Sequence, residues 1–254
     1  MKNYVISLSS SLDRRKHIHQ EFLREKVQFK FFDAITPELA IDVIQQEFPD
    51  LDLTRVSTGE LACIASHISV WKIALVSNLE HIAIFEDDIF LSNSASDFLS
   101  DTTWIDSDWS IIKLETFYEN VIVSSEKWLR KNHCIQVLKT AHFGAAGYIL
   151  SKQAIHELFS YIHGLDFIVP LDHIIFSDMI KVNKHAIYQV NPAICIQEKI
   201  LKNEVELSNS LNVYREKFLS KKLKIRFSKK ILREFLRLYQ QLRLALFARK
   251  ISFK

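Results

Sequence analysis

The chain has 254 residues, with 33 Lys and Arg against 30 Asp and Glu, 48% hydrophobic and 25% charged residues. That balance excludes disorder of the whole chain and leaves room for one large domain with a substantial core, or a domain with an appendage. Only four glycines occur, Gly59, Gly144, Gly147 and Gly164. Neither a Walker loop nor a GxGxxG loop can be built from them, so any nucleotide phosphate has to be neutralised by a metal ion or by Arg and Lys side chains. The three cysteines, Cys63, Cys134 and Cys195, are widely spaced and odd in number. They fit neither a disulfide framework nor a zinc site, and predict a reducing compartment.

Asn3 to Leu8 is an apolar run followed by a serine cluster and a charged periodic stretch, Leu12 to Lys26: a strand, a turn and an amphipathic helix. The run meets charge within a few residues, so neither a signal peptide nor a membrane span is expected there. Val27 to Phe32 reads as a second strand and Pro37 to Phe48 as a helix with proline in its first turn. Alternating β and α units predict an α/β fold with a partly parallel sheet. Thr58 to Leu79 carries apolar residues mostly at three-to-four spacing and predicts a long, largely buried helix. His81 to Phe85 is a β-branched run of the central-strand type. Further strands are expected at Trp109 to Leu114, Cys134 to Leu138, Tyr148 to Leu150, Ala186 to Val190 and Ile194 to Gln197, with helices at Ser151 to Ile162 and Ile174 to Ile180.

The His81 strand ends in three consecutive acids, Glu86, Asp87 and Asp88. Solvated loop acids are one reading. The other is a hard divalent cation, Mg2+ or Mn2+, held by carboxylates where open α/β sheets bind ligands, at the carboxyl ends of strands. Alternation sends Glu86 and Asp88 to one side and Asp87 to the other. On the long helix Glu60, Cys63 and His67 share a face, either as a satisfied core pair with a packing cysteine or as substrate contacts. Lys113, inside an apolar strand, has to meet an acid. Gly144 and Gly147 fall in one loop, which suggests a close backbone approach to a ligand or a left-handed turn.

Several blocks in order resemble glycosyltransferase family 25, the lipopolysaccharide and lipooligosaccharide transferases: VISL with Asp13-Arg14, FKFFDAI, STGELACIASHISVW, IAIFEDDIFL, IIKLET, HFGAAGYILSKQA, PLDHIIF and YQVNPAICIQ. Together they span about residues 3 to 200. The chain departs from the family pattern at Ser7-Leu8-Ser9-Ser10, where an Asn-Leu-Asp-Arg-like sequence is usual, and at Ala62 in place of a glycine. The resemblance implies a GT-A-type, Rossmann-like domain over residues 1–214. It also implies inverting transfer of a hexose, foremost galactose from UDP-galactose, to a sugar hydroxyl of lipooligosaccharide. UDP-glucose is the alternative donor; a metal-dependent phosphoesterase and a non-catalytic sugar-nucleotide binder are readings from other classes.

The same resemblance implies Mn2+ or Mg2+ at Glu86 and Asp88, and donor contacts at Ser7, Leu8, Arg14, Asp87 and Lys113. Substrate contacts are implied at Glu60, His67, Glu115, Gly144, Gly147 and Gln197, the last a candidate metal or sugar ligand. Asp172 is the first choice of general base by family position, with Glu115 in reserve; an ordinary N-cap for the helix from Ile174 is the competing role of Asp172.

Residues 215–254 hold 14 Lys and Arg against two acids, a net of +12, which leaves −9 for residues 1–214. Phe227, Ile231, Leu232, Phe235, Leu238, Tyr239, Leu242 and Leu246 recur at helical spacing and predict a basic amphipathic helical tail. It can pack on the body, bind nucleic acid, or lie on an anionic membrane leaflet. A lipid-linked acceptor favours the last, without nucleic acid and at the cytoplasmic face of a bacterial inner membrane.

Overall fold

The computed structural model describes residues 1–182, 186–202 and 242–254. The first half contains β1 (Lys2–Ser7), α1 (Leu12–Arg24), β2 (Lys30–Asp33), α2 (Pro37–Glu47), α3 (Thr58–Val76), β3 (His81–Glu86), β4 (Ile89–Leu91) and α4 (Ala95–Leu99). Next come the strands β5 (Ile111–Lys113), β6 (Glu115–Thr116), β7 (Asn120–Val121), β8 (Val123–Trp128), β9 (Cys134–Leu138) and β10 (Gly147–Ser151), then α5 (Lys152–His163). The remainder is α6 (Leu171–His173), a π-helical turn (Ile174–Asp178), α7 (Met179–Val182), β11 (Ile187–Asn191), β12 (Cys195–Gln197), α8 (Glu198–Leu201) and β13 (Arg249–Lys250).

Eight strands form the main sheet in the order β2-β1-β3-β10-β5-β11-β9-β8. β2, β1 and β3 are parallel; β10 runs antiparallel to β3 and to β5, and β11 is again parallel to β5. This is the α/β architecture with a mixed central sheet that the sequence predicts. β1, β3 and β5 therefore end at one edge of the sheet, where β10 begins, and a small sheet β4-β12-β6 caps that edge.

Strand alternation divides the core. Tyr4, Ile6, Ile82, Ile84 and Tyr148 join the cluster beneath α2, α3 and α5, while Val5, Ala83, Phe85 and Ile149 join the one beneath α1 and α4. α3 is apolar on every side because ten of its residues are buried. By length and composition it is also apolar enough to cross a membrane; here it is the central core helix. Its start is fixed by a capping box, Ser57 Oγ accepting from the Glu60 amide and the Glu60 carboxylate accepting from the Ser57 amide.

Several local expectations change. The strand expected at Trp109 to Leu114 is split at Leu114, whose C=O accepts from the amides of Ile194 and Cys195 while its N–H donates to Gly147. No N-cap is formed by Asp172: Pro170 precedes the first turn, Asp172 lies inside it, and the helix expected from Ile174 begins as a π-turn. The tail predicted as helix lies mostly outside the described residues. Its described part, residues 242–247, is helical, and the chain beyond it returns to the body: β13 pairs with β7, Ile251 is fully buried, and Ala193 N–H donates to Ser252 C=O at 2.7 Å.

Candidate active site

An open cavity of about 350 Å³ lies at the carboxyl edge of β1, β3 and β5. Glu86 and Asp88 line it, and Asp87 does not. Glu86 turns toward α3, where Cys63 Sγ is 3.8 Å and His67 Nε2 3.7 Å from its Oε1. Asp87 turns toward α1, accepting from Arg14 Nη1 at 2.8 Å and Ser7 Oγ at 2.7 Å. The end of β3 and the turn that follows thus send Glu86 and Asp88 to the cavity side and Asp87 to the α1 side, the sorting expected from sequence.

His67 is fully buried. Its Nδ1 lies 2.6 Å from the Tyr148 hydroxyl, which accepts from Trp71 Nε1 at 3.1 Å. With Trp71 donating, the hydroxyl proton is directed at Nδ1, leaving Nε2–H to face Glu86. On its other oxygen Glu86 accepts from Gln197 Nε2 at 3.1 Å. Burial opposes ionisation of Glu86, but His67, Lys199 and Cys63 outweigh it and hold its carboxyl below the ordinary range. The Cys63 thiol is pushed well up, first by burial and then by Glu86.

Asp88 is different. Burial and then the Glu86 charge push its pKa up to about 7, against the pull of Arg14 and Lys199. Asp88 Oδ1 and Gln197 Oε1 are buried without a hydrogen-bond partner. Two unpartnered hard oxygens on residues of one acidic cavity fit a hard divalent cation. Cys63, His67 and Glu86 also bring one ligand atom each within 4.8 Å of one another. A protonated thiol donating to Glu86 suits that trio better to holding the carboxylate than to soft-metal ligation.

Of the residues singled out from sequence, the structure brings Arg14, Glu60, Glu86, Asp88, Gly144, Asp172 and Gln197 to the cavity wall. Asp172 Oδ2 accepts from the Gly144 amide at 3.0 Å, its Oδ1 from His173 N–H at 3.0 Å. Ser7 and Asp87 are buried behind the wall, and Leu8 is exposed outside it.

Lys113 and Glu115 are fully buried, with Lys113 Nζ 2.8 Å from Glu115 Oε1 and 4.1 Å from the Phe176 ring centre. Lys113 also donates to Gly144 C=O, and Ala146 N–H donates to Glu115 Oε1 at 3.0 Å. A donor contact from Lys113 and a base role for Glu115 are thereby corrected: neither side chain has surface to offer a substrate. Gly147 is corrected likewise, since a Cβ there would lie 2.2 Å from Cys195 Sγ, a packing demand within the protein. Gly144 has φ +90° and would place a Cβ 2.1 Å from the Phe117 ring, so the turn and the close approach both require glycine.

Sequence reasoning missed Phe117, Glu119, Phe143 and Lys199 on the same wall. Burial raises the Glu119 carboxyl, Lys113 lowers it and Asp172 raises it. Lys199 lies two residues beyond Gln197 at the start of α8, a placement fixed by Glu198 N–H donating to Asp88 C=O at 2.8 Å. Its one sequence signal is that it continues the block ending at Gln197.

The family model described as glycosyltransferase family 25 (LPS biosynthesis protein) matches residues 1–175. The chain belongs to this family. It is 34% identical to the lipooligosaccharide biosynthesis protein lic2B of Haemophilus influenzae over 87% of this chain and 86% of that one. To the lacto-N-neotetraose biosynthesis glycosyltransferase LgtE of Neisseria meningitidis serogroup B it is 36% identical, over 85% and 82%. A putative glycosyltransferase of H. influenzae is 31% identical over 99% of this chain and 88% of its own length, so the likeness runs through the basic segment as well. Of the Glu86-Asp87-Asp88 triplet, Glu86 and Asp88 line the cavity and Asp87 stands behind its wall.

Proposed function

We propose that the protein transfers a hexose from a UDP-hexose to a sugar hydroxyl of lipooligosaccharide, with inversion at the anomeric carbon and with a divalent ion; galactose is the first donor to test. The carrying observation is the pair of unpartnered oxygens, Asp88 Oδ1 and Gln197 Oε1, on an acid-lined cavity at the carboxyl edge of the sheet. Asp88 and Glu86 would hold Mn2+ or Mg2+, with Gln197 as a further oxygen donor. When bound, such an ion supplies positive charge against the donor diphosphate.

Around that centre the chain's own residues divide the work. Arg14, anchored on Asp87, and Lys199 present cations to the diphosphate at the same wall. Cys63 and Gln197 hold the Glu86 carboxylate in place, with His67 Nε2 facing it at 3.7 Å. Asp172 serves as general base. The acceptor oxygen bonds to the anomeric carbon as the bond from that carbon to the diphosphate oxygen breaks; the hydroxyl proton passes to the Asp172 carboxylate and UDP departs. The half-buried Gly144 N–H orients that carboxylate.

For the basic segment we propose peripheral attachment to an anionic membrane surface on the cytoplasmic side. Support comes from the +12 charge of residues 215–254 and from exposed Leu242, Leu246 and Phe247.

A panel of UDP-sugars, with deacylated lipooligosaccharide as acceptor and Mn2+ present, tests the enzyme reading. Asp88→Asn should lower transfer by about 100-fold or more without lowering the melting temperature. Transfer that is indifferent both to Asp88→Asn and to a chelator would sink it.

A further inference from the structure

A second cavity, about 540 Å³, adjoins the catalytic one and shares Glu119 and Phe143 with it. Its far walls come from the Lys139 turn after β9, from Ile180 and Lys181 of α7, and from Arg243 and Leu244 of the returning C-terminus. The two cavities are opposite in charge. Five carboxylates, Glu60, Glu86, Asp88, Glu119 and Asp172, line the first against Arg14 and Lys199. Among the described residues the second is lined by Lys139, Arg243 and Lys181, the last paired with Asp178, and by the carboxylate of Glu119.

Resting on the transfer reading above, we propose that this second cavity is an acceptor subsite that takes an anionic substituent, phosphate or carboxylate, of the acceptor saccharide. Three observations converge. A volume of about 540 Å³ is within the range of small-ligand sites. The shared wall is a half-buried aromatic ring, Phe143, braced against His173 at 4.5 Å between centroids, so a saccharide crossing it reaches Asp172 at one end and the cations at the other. An anion on that saccharide is repelled by the acids of the first cavity and attracted by the cations of the second. Lys139 is exposed, and Lys181 is 71% exposed although paired with Asp178 at 2.7 Å, so both present charge to solvent.

The C-terminus completes this subsite. β13 is paired to β7, the Ile251 carbonyl accepts from Thr116 Oγ1 at 2.8 Å, and Ile251 is fully buried. Those contacts pin the residues just after 242–247, which carry Arg243. A truncation after Tyr214 therefore removes a wall of the subsite together with the basic segment.

Calorimetric titration of the full chain, in the presence of UDP, with deacylated lipooligosaccharide in native, dephosphorylated and carboxyl-reduced forms tests the subsite. Wild type should bind the native form about tenfold tighter than one of the stripped forms, and which form loses affinity identifies the anion. Lys139→Glu and Arg243→Glu should abolish that preference; Lys30→Glu, an exposed position at the opposite edge of the sheet, should keep it. Equal binding of all three forms by wild type, or an undiminished preference in Lys139→Glu, overturns the proposal. If the preference is present but no UDP-sugar is consumed in transfer, the enzyme reading fails while the anion subsite stands.

Discussion

Two sets of carboxylates sit at the carboxyl ends of strands in the same sheet. At the end of β3 and in the turn after it, Glu86 and Asp88 face an open cavity; at the break between β5 and β6, Lys113 and Glu115 close on each other with no exposed surface. Each set leaves one oxygen without a partner, Asp88 Oδ1 and Glu115 Oε2. Polar need alone therefore does not mark a site; access does. Asp88 is partly exposed on a cavity wall that a ligand can enter, whereas Phe176, Gly144 and Ala146 seal Glu115 among protein groups.

The sharpest way to break this contrast is to remove the lysine. Lys113→Met leaves Glu115 buried and uncompensated, and should cost about 3–5 kcal/mol of stability in urea denaturation. Adding Glu115→Leu should recover most of that loss. A Lys113→Met protein as stable as wild type but unable to transfer sugar would move Lys113 from scaffold to chemistry.

His142 probes the boundary between the two regions. It is fully buried; its Nδ1 lies 2.8 Å from Gln189 Oε1, and Nε2 accepts from the Phe117 amide at 3.4 Å. The ring thus holds the strand end that carries Phe117 and Glu119 into the cavity. Burial and then Lys113 push its pKa down to about 3. An unfolded histidine takes a proton near pH 6.5, so between these values the unfolded state binds more protons and stability falls as pH falls. Between pH 7 and pH 5 the loss should be about 2 kcal/mol. His142→Gln should remove that part of the slope in urea midpoints, whatever its effect at pH 7; an unchanged slope would mean the ring is solvated.

The first half of the chain was the more legible. β1, α2, α3 and β3 follow from local periodicity, and Asp87 and Asp88 face opposite ways as the alternation extrapolated from β3 predicts, although both lie in the turn after it. β6, β7 and β13 are two residues each and exist through partners remote in the chain, such as Arg249 beside Val121, so no local pattern announces them. The roles of single residues fail for the same reason. That Lys113 must meet an acid was legible from its apolar strand and Glu115 meets it, but only the cover supplied by other elements seals that pair from the cavity and makes Lys199, in a mixed stretch, a cavity cation. The competing cap role of Asp172 falls only once Pro170 is seen to start the turn.

Glu60 belongs to both regions at once, and the smallest expected effect is the one that separates its parts. Its Oε2 accepts from Ser57 N–H at 2.9 Å and Ser57 Oγ at 2.8 Å, which fixes the start of α3, while the residue also lines the catalytic cavity. Ser57→Ala removes the reciprocal cap but leaves the carboxylate, and should cost about 1 kcal/mol of stability with little change in transfer below the melting transition. Glu60→Gln keeps a side chain that can still accept from the Ser57 amide, so its cost in stability should be smaller still. If Glu60 touches substrate, its transfer rate should nevertheless fall well below that of Ser57→Ala, with the loss concentrated in kcat/KM for the acceptor. Equal transfer by the two variants would assign Glu60 wholly to the helix start, and the capping box would then be scaffold on the same footing as Lys113 and Glu115.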